Sequence, residues 1–538
     1  MSRRARGHGG TVMRRARGHG GTEARGGLRP LARGHRGTGA RKAPGARRAP
    51  VPLCLCACVF LAACAVGPRY APAPVVSPAA QVGSRGGDQT APFYDSLAAA
   101  RAADTVRSPA PRPLSTAALS DLAWLDILHD STLKRLVETA LRQNRDIATA
   151  TARIEEYRAE AGVARSPLFP SLTLNGSDSR NKIAFPGFSV PPYTAYRATA
   201  DLAWELDFWG QVRRGMQAAN ADLAAQEAAE RGAVLSLVSD VATAYLQLLE
   251  LDQERSMAEQ TLASRQATLD LVRRRYARGV ISELDVRQFE AQVAVPAVRL
   301  AQVEQQRARA EHALDVLLGE GPAAIPRGGS LAAAAQAVSV PDSVPVSLLY
   351  RRPDVEQAER SYAAATARIG VADAARLPSF QITAEYGSQA LSTGQLFTAP
   401  TRIYTLLGGI SIPIFTGGRL SDQARAARAQ AEEARARYEA TVLRAMEEAG
   451  DALAGVRAAR DQAVAQQTQA TALRRALELA QVRYDTGVSN YLEVLDAQRS
   501  LFDAELAASQ AELQQVTSAV LLYKALGGSW PSGAAAPR

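Results

Sequence analysis

The sequence has few of the residues from which enzymes and metal proteins build their sites. Cysteine occurs four times in 538 residues, and all four positions lie between residues 54 and 64, which excludes a disulfide framework elsewhere. The five histidines form no cluster with metal-ligand spacing, and neither a G-x-x-x-x-G-K-S/T nor a G-x-S-x-G motif occurs. We therefore expect a protein that is not an enzyme and that holds no metal or other cofactor.

Aromatic residues are also scarce, and acidic residues are almost missing from one end. Only 6% of the chain is aromatic although 47% is hydrophobic, which favours long helices packed through Ala, Leu and Val. Residues 1–48 contain 14 Lys and Arg but one acid, Glu23. Subtracting this surplus of 13 from the net charge of +10 leaves −3 for residues 49–538. The charge of the body therefore does not indicate a nucleic-acid-binding protein.

The basic head consists of a short repeat rich in Gly and Arg. The nine residues from Arg3 to Thr11 recur unchanged from Arg14 to Thr22. Such a composition cannot bury apolar surface, so we predict disorder. A basic arm for nucleic acid is one interpretation; a long region ahead of a signal sequence, with Met13 or a later codon as the start, is the one we favour.

An uncharged apolar run follows, from residue 51 to residue 66. It is shorter than the roughly 20 residues that a membrane-spanning helix needs, and it is typical of a signal peptide. It ends in Leu61-Ala62-Ala63-Cys64, which resembles the bacterial lipobox, where the thiol carries diacylglycerol. We predict a head and signal peptide over 1–63, lipidation of Cys64 and a Pro/Ala-rich tether over 64–119. The resemblance and Ala65 in the next position imply transfer to the outer membrane.

The body is a tandem duplication with an offset of 208 residues. The landmarks that match are Asp146 with Asp354, Gly162 with Gly370, Phe169-Pro170-Ser171 with Leu377-Pro378-Ser379, Gly210 with Gly418, Tyr276 and Gly279 with Tyr484 and Gly487, and Leu284-Asp285-Val286 with Leu492-Glu493-Val494. One offset that holds without a gap indicates two equivalent domains. The predicted repeats are 120–318 and 351–530, joined by a linker over 319–350 and followed by a tail over 531–538.

Each repeat shows the same series of patterns. The first repeat reads as a helix over 133–164, alternating strands over 171–175 and 196–208, a long helix over 213–276 and a returning helix over 284–318; the second has the corresponding patterns over 353–374, 379–383, 402–415, 419–484 and 492–526. Gly210 and Gly418 mark the junctions between strand and helix. The fold class is mainly α with transmembrane β strands. Four strands cannot close a barrel, but a trimer would supply twelve; a soluble hairpin is the alternative.

These features resemble the lipoprotein branch of the TolC-type outer-membrane efflux factors, which serve resistance-nodulation-division pumps. The residues that carry the resemblance are Cys64 to Tyr70, Trp204 to Gly210, Ile412 to Phe415, Gly417-Gly418-Arg419, Tyr484 to Asp496 and Leu526 to Trp530. The resemblance implies a homotrimer with a twelve-stranded barrel in the outer membrane and a twelve-helix periplasmic tunnel. It also implies a periplasmic adaptor and an inner-membrane pump as partners, outer-membrane lipid around the barrel, and passive conduction of drugs and other small molecules.

Two turns join the long helices to the returning ones, and both carry residues with local chemistry. Gly279 and Gly487 stand where a helix end requires left-handed backbone. Ser282 with Asp285, and Asn490 with Glu493, have the spacing of capping boxes. Capping alone is a sufficient explanation of these four residues.

The resemblance implies a second role for this region, a closed periplasmic gate. Its residues would be Asp285, Tyr484, Glu493 and Asp496, with Tyr484 bonded to Asp285 of the neighbouring hairpin and the other two forming acidic rings that favour cations. Ser489 stands where many members of the family carry an Arg.

Two other classes of protein share part of the pattern. A lipidated periplasmic adaptor would have one helical hairpin flanked by strand domains, whereas this sequence has two hairpins, each preceded by a strand pair. A structural coiled-coil lipoprotein would not need the aromatic residues of those strand pairs.

Overall fold

The computed structural model describes residues 65–71, 81–82, 130–337 and 344–528. The predicted basic head, the signal peptide, Cys64, most of the tether, the first residues of repeat one and the tail over 531–538 lie outside the described residues.

Eight helices occur in the described ranges. They are α1 (Ser131–Gln143), α2 (Arg145–Arg165), α3 (Gln211–Ala277), α4 (Glu283–Leu318), α5 (Leu331–Ala337), α6 (Pro353–Ala374), α7 (Arg419–Asp485) and α8 (Tyr491–Ala525). The long helices α3 and α7 have 67 residues each, which corresponds to about 100 Å. Their bounds lie within two residues of the predicted ones, because glycine turns and polar caps mark the ends.

The single helix predicted over 133–164 is divided in two at Asn144. The backbone of Asn144 is extended, which ends α1, and its side chain accepts hydrogen bonds from the amides of Asp146 and Ile147 in the first turn of α2. An Asn that satisfies free N–H groups at a helix start is a strong N-cap. The prediction of one continuous helix was wrong because it overlooked this cap.

Four strands form an antiparallel sheet in the order β2-β5-β7-β8. They are β2 (Ser171–Asn181), β5 (Tyr193–Leu206), β7 (Ser379–Ala390) and β8 (Arg402–Ser411); the short pairs are β1 (Gln81–Val82) with β6 (Val344–Pro345) and β3 (Ala184–Phe185) with β4 (Phe188–Ser189). The first strand of each pair is longer than predicted. Beyond the predicted ends, the ladder continues through polar residues such as Asp178 and Glu385, since backbone pairing does not depend on side-chain polarity.

The sheet has one apolar and one polar face. Directly paired residues share a face, and the pairs Leu172 with Leu202, Trp204 with Ile382 and Tyr386 with Tyr404 lie on the apolar one. Pairs on the other face include Thr173 with Asp201 and Glu205 with Gln381. This alternation is the pattern of a strand with apolar solvent on one side and water on the other.

The duplication is preserved in the strand register. Ser171 pairs with Ala203 in the first repeat, and Ser379 pairs with Ser411 in the second, so that both members of the pair are displaced by 208 positions. The sheet passes from one repeat to the other between β5 and β7, where Trp204 faces Ile382. The two repeats are therefore joined edge to edge in one sheet.

The largest apolar cluster lies about halfway along α3, where the C-terminal ends of α4 and α8 meet it. It contains buried residues of α1, α3, α4, α5 and α8, among them Val137, Val241, Leu314, Leu331 and Val520. Tyr245 lies inside it, and its hydroxyl donates to Asp130 at 2.8 Å and accepts from the amide of Gly328 at 3.0 Å. The start of repeat one, at Asp130 and α1, and the segment after α4 are thus packed against the middle of α3.

One helix in the described ranges, Gln211–Ala277, has the length and composition to cross a membrane. Half of its most apolar stretch is buried inside the chain. This burial is what the core of a helical bundle requires, so the helix packs within the protein.

Candidate functional site

The first hairpin turns between α3 and α4 at Gly279, where φ is +75°. The amide of Gly279 donates to the carbonyl of Tyr276 at 2.8 Å, and the amide of Val280 donates to the carbonyl of Arg275 at 3.1 Å. This pair of hydrogen bonds is the Schellman arrangement, in which glycine supplies the left-handed backbone. These hydrogen bonds therefore fix the position at which α3 ends, just before Gly279.

The start of α4 is closed by a reciprocal pair of caps. The amide of Asp285 donates to the Ser282 hydroxyl at 3.3 Å, and the amide of Ser282 donates to the Asp285 carboxylate at 2.9 Å. The Ser282 hydroxyl also donates to that carboxylate at 2.8 Å. The predicted capping box at this turn is confirmed.

The second hairpin repeats the turn between α7 and α8 at Gly487, where φ is +74°. Its amide donates to the carbonyl of Tyr484 at 3.0 Å, and the amide of Val488 donates to the carbonyl of Arg483 at 2.9 Å. The side chain of Asn490 then caps α8 by accepting from the amide of Leu492 at 3.1 Å. Both tip turns therefore have the same backbone design.

The capping box predicted at the second turn is only half formed. Instead of returning to the backbone of Asn490, the carboxylate of Glu493 lies 3.4 Å from the Arg483 guanidinium. Arg483 is in the last turn of α7 and faces the start of α8 across the turn, so the carboxylate meets a full positive charge there. That part of the prediction was wrong because sequence spacing does not reveal a competing charge across the turn.

Tyr484 connects the two hairpins at the tip. Its hydroxyl accepts a hydrogen bond from Arg275 at the end of α3, and the Arg275 guanidinium carbon lies 5.8 Å from the centre of the tyrosine ring. The ring also packs edge-on against Tyr491, with centroids 4.8 Å apart, and Tyr491 stacks on Phe289 of α4 at 4.5 Å. Burial raises the pKa of Tyr491 to about 12. Side chains from all four long helices thus meet at this point.

The contacts of Asp285 and Tyr484 within one chain are satisfied locally. Asp285 is bonded to Ser282, and Tyr484 is bonded to Arg275. The bond between Tyr484 and Asp285 of the neighbouring hairpin, implied by the resemblance, is not among the described contacts of this chain, where Arg275 takes that place at Tyr484. Asp496 is exposed and pairs with Arg499 on the next turn of α8 at 2.7 Å.

Reasoning from the sequence missed two arginines of the tip, Arg275 and Arg483. They stand 208 positions apart, and each lies four residues before a tip glycine. The duplication could have identified them, since it places one basic residue at the same point of each hairpin. They supply positive charge at a tip where this chain has Ser489 and the resemblance led us to expect Arg.

Four apolar side chains are exposed around the two turns. Val280 is 69% exposed and Val488, its equivalent in the second repeat, is 66% exposed. Leu284 and Leu492 form a second equivalent pair, and both are also more than half exposed. Equivalent exposed apolar residues on both hairpins are typical of a surface that another protein covers.

Glycines also define the junctions at the opposite end of the long helices. Gly210 and Gly418 have φ values of +78° and +86° and precede α3 and α7 directly. Asp207 accepts hydrogen bonds from the amides of Val212 and Arg213, both at 3.0 Å, which satisfies the first turn of α3. The sheet therefore passes into the helices through a fixed turn.

Within the described ranges, no group of three or more His, Cys, Asp and Glu side chains has the arrangement of a metal site. Cys64, the predicted lipidation site, lies outside the described residues.

Comparison with known proteins gives the family. The profile of the family described as "Outer membrane efflux protein" matches residues 136–320 and matches again at 344–528, two ranges displaced by 208 positions. The chain belongs to this family. The duplication inferred from the sequence is thus a property of the family, and the TolC-type fold is confirmed.

Individual relatives cover most of the chain. The probable efflux pump outer membrane protein TtgC of Pseudomonas putida is 35% identical over 453 residues, which is 83% of this chain and 93% of the relative. The pyoverdine export outer membrane protein OpmQ of the same species is 33% identical, over 77% of this chain and 89% of its own length. The solved structure of CusC has a TM-score of 0.74 at 27% identity and covers 87% of this chain and all of the other.

The family and these relatives confirm the predicted function. The protein is an outer-membrane efflux channel, the exit duct through which a tripartite pump passes drugs or other small molecules to the outside.

Proposed function

We propose that the duct is a lipid-anchored homotrimer that docks on a periplasmic adaptor and a resistance-nodulation-division pump. The observation that carries the trimer is the four-stranded sheet, in which β2 and β8 form the two edges. Both edge strands bear exposed apolar side chains, with Leu174 81% exposed and Tyr404 82% exposed. An open apolar strand edge requires a partner, and a further copy of the same sheet supplies one.

Three copies close the sheet into a barrel. Each copy contributes four strands, and a barrel of twelve strands leaves a water-filled interior. The apolar face would contact lipid and the polar face would line the lumen. An ion pair between Arg197 and Glu385 and a hydrogen bond between Asn175 and Asp201 lie on that polar face, where water solvates them.

The helices continue the barrel into the periplasm. At about 100 Å, α3 and α7 are too long for the core of one globular chain, and their mutual packing as two hairpins fits a tunnel of twelve helices. Asp285, Tyr484, Glu493 and Asp496 would then surround the tunnel at its narrow end. The Arg275–Tyr484 contact between hairpins supports their role as a gate.

The exposed Val280 and Val488 would receive the adaptor at the same end. Energy would come from the pump, because the sequence has no nucleotide-binding motif. Cys64 would carry the acyl chains, which at about 0.8 kcal/mol per buried CH₂ hold a protein on a membrane when more than one chain is attached.

The test is membrane fractionation of the wild-type protein and of Cys64→Ser, followed by mass determination in mild detergent. We expect the wild-type protein in the outer membrane as an acylated trimer and the variant without the acyl mass. Cys58→Ser, which changes a cysteine of the signal peptide, is the matched control and should behave as wild type. A monomeric species in the soluble or inner-membrane fraction would contradict the proposal and favour the adaptor or structural alternatives.

A further inference from the structure

The segment over 65–71 lies against the body in a groove between α3 and α6 and bends at Gly67, where φ is +101°. At its upper end the amide of Val66 donates to the carbonyl of Trp209 at 2.9 Å. At its lower end the hydroxyl of Tyr70 donates to Glu359 at 3.1 Å, and its ring packs edge-on against Tyr362 with centroids 5.4 Å apart. This first part of the predicted tether is therefore bound to the body at both of its ends.

Arg214 of α3 holds the middle of the segment. Its Nε donates to the carbonyl of Val66 at 3.2 Å and its Nη2 to the carbonyl of Gly67 at 3.0 Å, while Nη1 reaches Gln217 at 3.1 Å. Arg214 is buried, with 6% of its surface exposed. A buried guanidinium needs acceptors, and the segment supplies two of the three that surround it.

Two glycines allow the segment to touch the helix backbone. A Cβ atom on Gly67 would lie 2.5 Å from the Cα atom of Gly370. A Cβ atom on Gly370 would lie 2.8 Å from the carbonyl oxygen of Val66 and 2.9 Å from Cγ of Arg214. No side chain fits at either position without displacing the segment.

Within one chain, the equivalent positions of the other repeats, Gly162 and Asp422, form no such groove. Gly162 is the counterpart of Gly370, and a Cβ atom on it would meet nothing within 4 Å. Asp422 stands at the position equivalent to Arg214, so the donor to the carbonyl groups is replaced by an acid. The duplicated body thus has this groove at one of two equivalent places, as expected if the groove serves the N-terminal segment, which is not duplicated.

We propose that the groove formed by Arg214, Gly370, Glu359 and Tyr362 is a docking site for the chain's own segment 65–71. Docking places Ala65 against Gly210, at the junction of sheet and helix, and joins the first repeat to the second. A lipid on Cys64 would then enter the membrane directly beside the base of the barrel. The position of the lipid rests on the proposed lipid anchor, whereas the docking of the segment does not.

The test uses trypsin, which cuts after Arg69 in the middle of the docked segment. Gly370→Val should expel the segment, and Gly162→Val is the matched control because it makes the same change at the equivalent position without touching the segment. Arg214→Met removes the two hydrogen bonds to the segment without adding a clash. Since cleavage follows the fraction of time that a segment is open, we expect cleavage at Arg69 at least about tenfold faster in Gly370→Val and Arg214→Met than in wild type or Gly162→Val.

Mass spectrometry of the new N-terminus, Tyr70, identifies the cut. Cleavage at the wild-type rate in both Gly370→Val and Arg214→Met, with helical content unchanged, would overturn the proposal. Cys64→Ser separates it from the lipid anchor: we expect the same protection of Arg69 without the lipid. Loss of protection in Cys64→Ser would mean that the membrane, and not the groove, holds the segment, which also overturns the proposal.

Discussion

Single residues at the hairpin tips show that equivalent positions of the two repeats have different partners. Arg275 contacts Tyr484 of the other repeat, whereas Arg483, its counterpart 208 positions later, pairs with Glu493 of its own repeat. The first contact joins two hairpins and the second stays within one. Only the first can hold the hairpins together.

We expect Tyr484→Phe combined with Asp285→Ala to make the closed duct leaky. Phenylalanine cannot accept the hydrogen bond of Arg275, and the loss of Asp285 removes half of the cap of α4, a change that costs about 1 kcal/mol at a helix start. Single-channel conductance in planar bilayers should rise.

Tyr276→Phe is the matched control for that measurement, because Tyr276 is the equivalent of Tyr484 in the first repeat and is 45% exposed. Its conductance should equal that of the wild-type duct. A double variant with unchanged conductance would remove Tyr484 and Asp285 from the gate.

A buried carboxyl group of α3 predicts a pH dependence of stability. Glu250 is 4% exposed, and burial, followed by the charge of Glu254, raises its pKa from 4.5 to about 8. Arg299 of α4 and Ser509 of α8 face it and act in the opposite direction. The folded state therefore retains a proton that the unfolded chain releases, so this contribution to stability is complete below pH 4.5 and is lost as the pH rises through about 8.

The unfolding temperature of the wild-type protein should accordingly fall between pH 6 and pH 9, and Glu250→Gln should reduce that fall because its side chain stays neutral. Glu259→Gln, on the same helix but only half-buried and paired with Arg255, should keep the wild-type dependence. An equal fall in Glu250→Gln and wild type would show that Glu250 is ionised throughout this range.

Among the structural elements, the sheet carries the most specific information about assembly. Within one chain β5 of the first repeat pairs with β7 of the second, and Ala203 lies opposite Thr383. The second-repeat counterpart of β5 is β8, and the first-repeat counterpart of β7 is β2. If copies pair in the same way as the repeats do, β8 of one copy therefore pairs with β2 of the next. The equivalent pair is then Ser411 with Asn175 of the neighbour.

We therefore expect the double variant Ser411→Cys, Asn175→Cys to form disulfide-linked trimers under mild oxidation. Directly opposed strand residues have Cα atoms about 4.5–5.5 Å apart, which suits a disulfide. The cysteines of the sequence all lie at residue 64 or before it, so they do not compete within the strands. Electrophoresis without reducing agent gives the result.

Ser411→Cys with Ser177→Cys is the control, since it tests a register shifted by two residues on the same face. Stronger cross-linking in this control than in the first pair would show that the contact between copies does not repeat the contact within a chain.

The secondary structure could be predicted where local chemistry decides it. Gly279 and Gly487 end helices through their own backbone preference, and Ser282 caps a helix through its own side chain. The full length of β2 could not be predicted, because Gly176 to Asn181 gain their strand conformation from pairing with β5. The local sequence pattern does not predict the end of a helix or strand when contacts with residues distant in sequence determine it.

In the candidate site, too, features that depend on neighbouring residues could be predicted and contacts between distant residues could not. The turns and the capping box at Ser282 depend on neighbours in sequence, and they were predicted. The contacts of Arg275 with Tyr484 and of Arg214 with Gly67 join residues 209 and 147 positions apart, and they depend on the packing of whole helices. The period of 208 residues was the one long-range signal that the sequence contained.

At the scale of the whole molecule, the two tips should act together as the surface for the adaptor. We expect Val280→Lys combined with Val488→Lys to weaken binding of the cognate adaptor by at least about tenfold, because two exposed apolar side chains of about 1 kcal/mol or more each would no longer be buried. Surface plasmon resonance with the trimer in detergent measures the effect.

Val280→Leu with Val488→Leu keeps the surface apolar and should preserve binding. If the lysine pair binds the adaptor as well as wild type does, while the trimer stays intact, the tip valines lie outside the interface.

The equal length of α3 and α7 constrains how the helical part of such a duct can become longer or shorter. Both helices have 67 residues, so both turns lie at the same level, and the returning helices must match them. An insertion of seven residues lengthens one helix by about 10 Å and would tilt the rim unless the other three helices gain the same length. Lineages that span a wider periplasm should therefore differ by matched insertions in all four helices, and a gene that acquires only one of them would encode a duct whose end no longer lies in a plane.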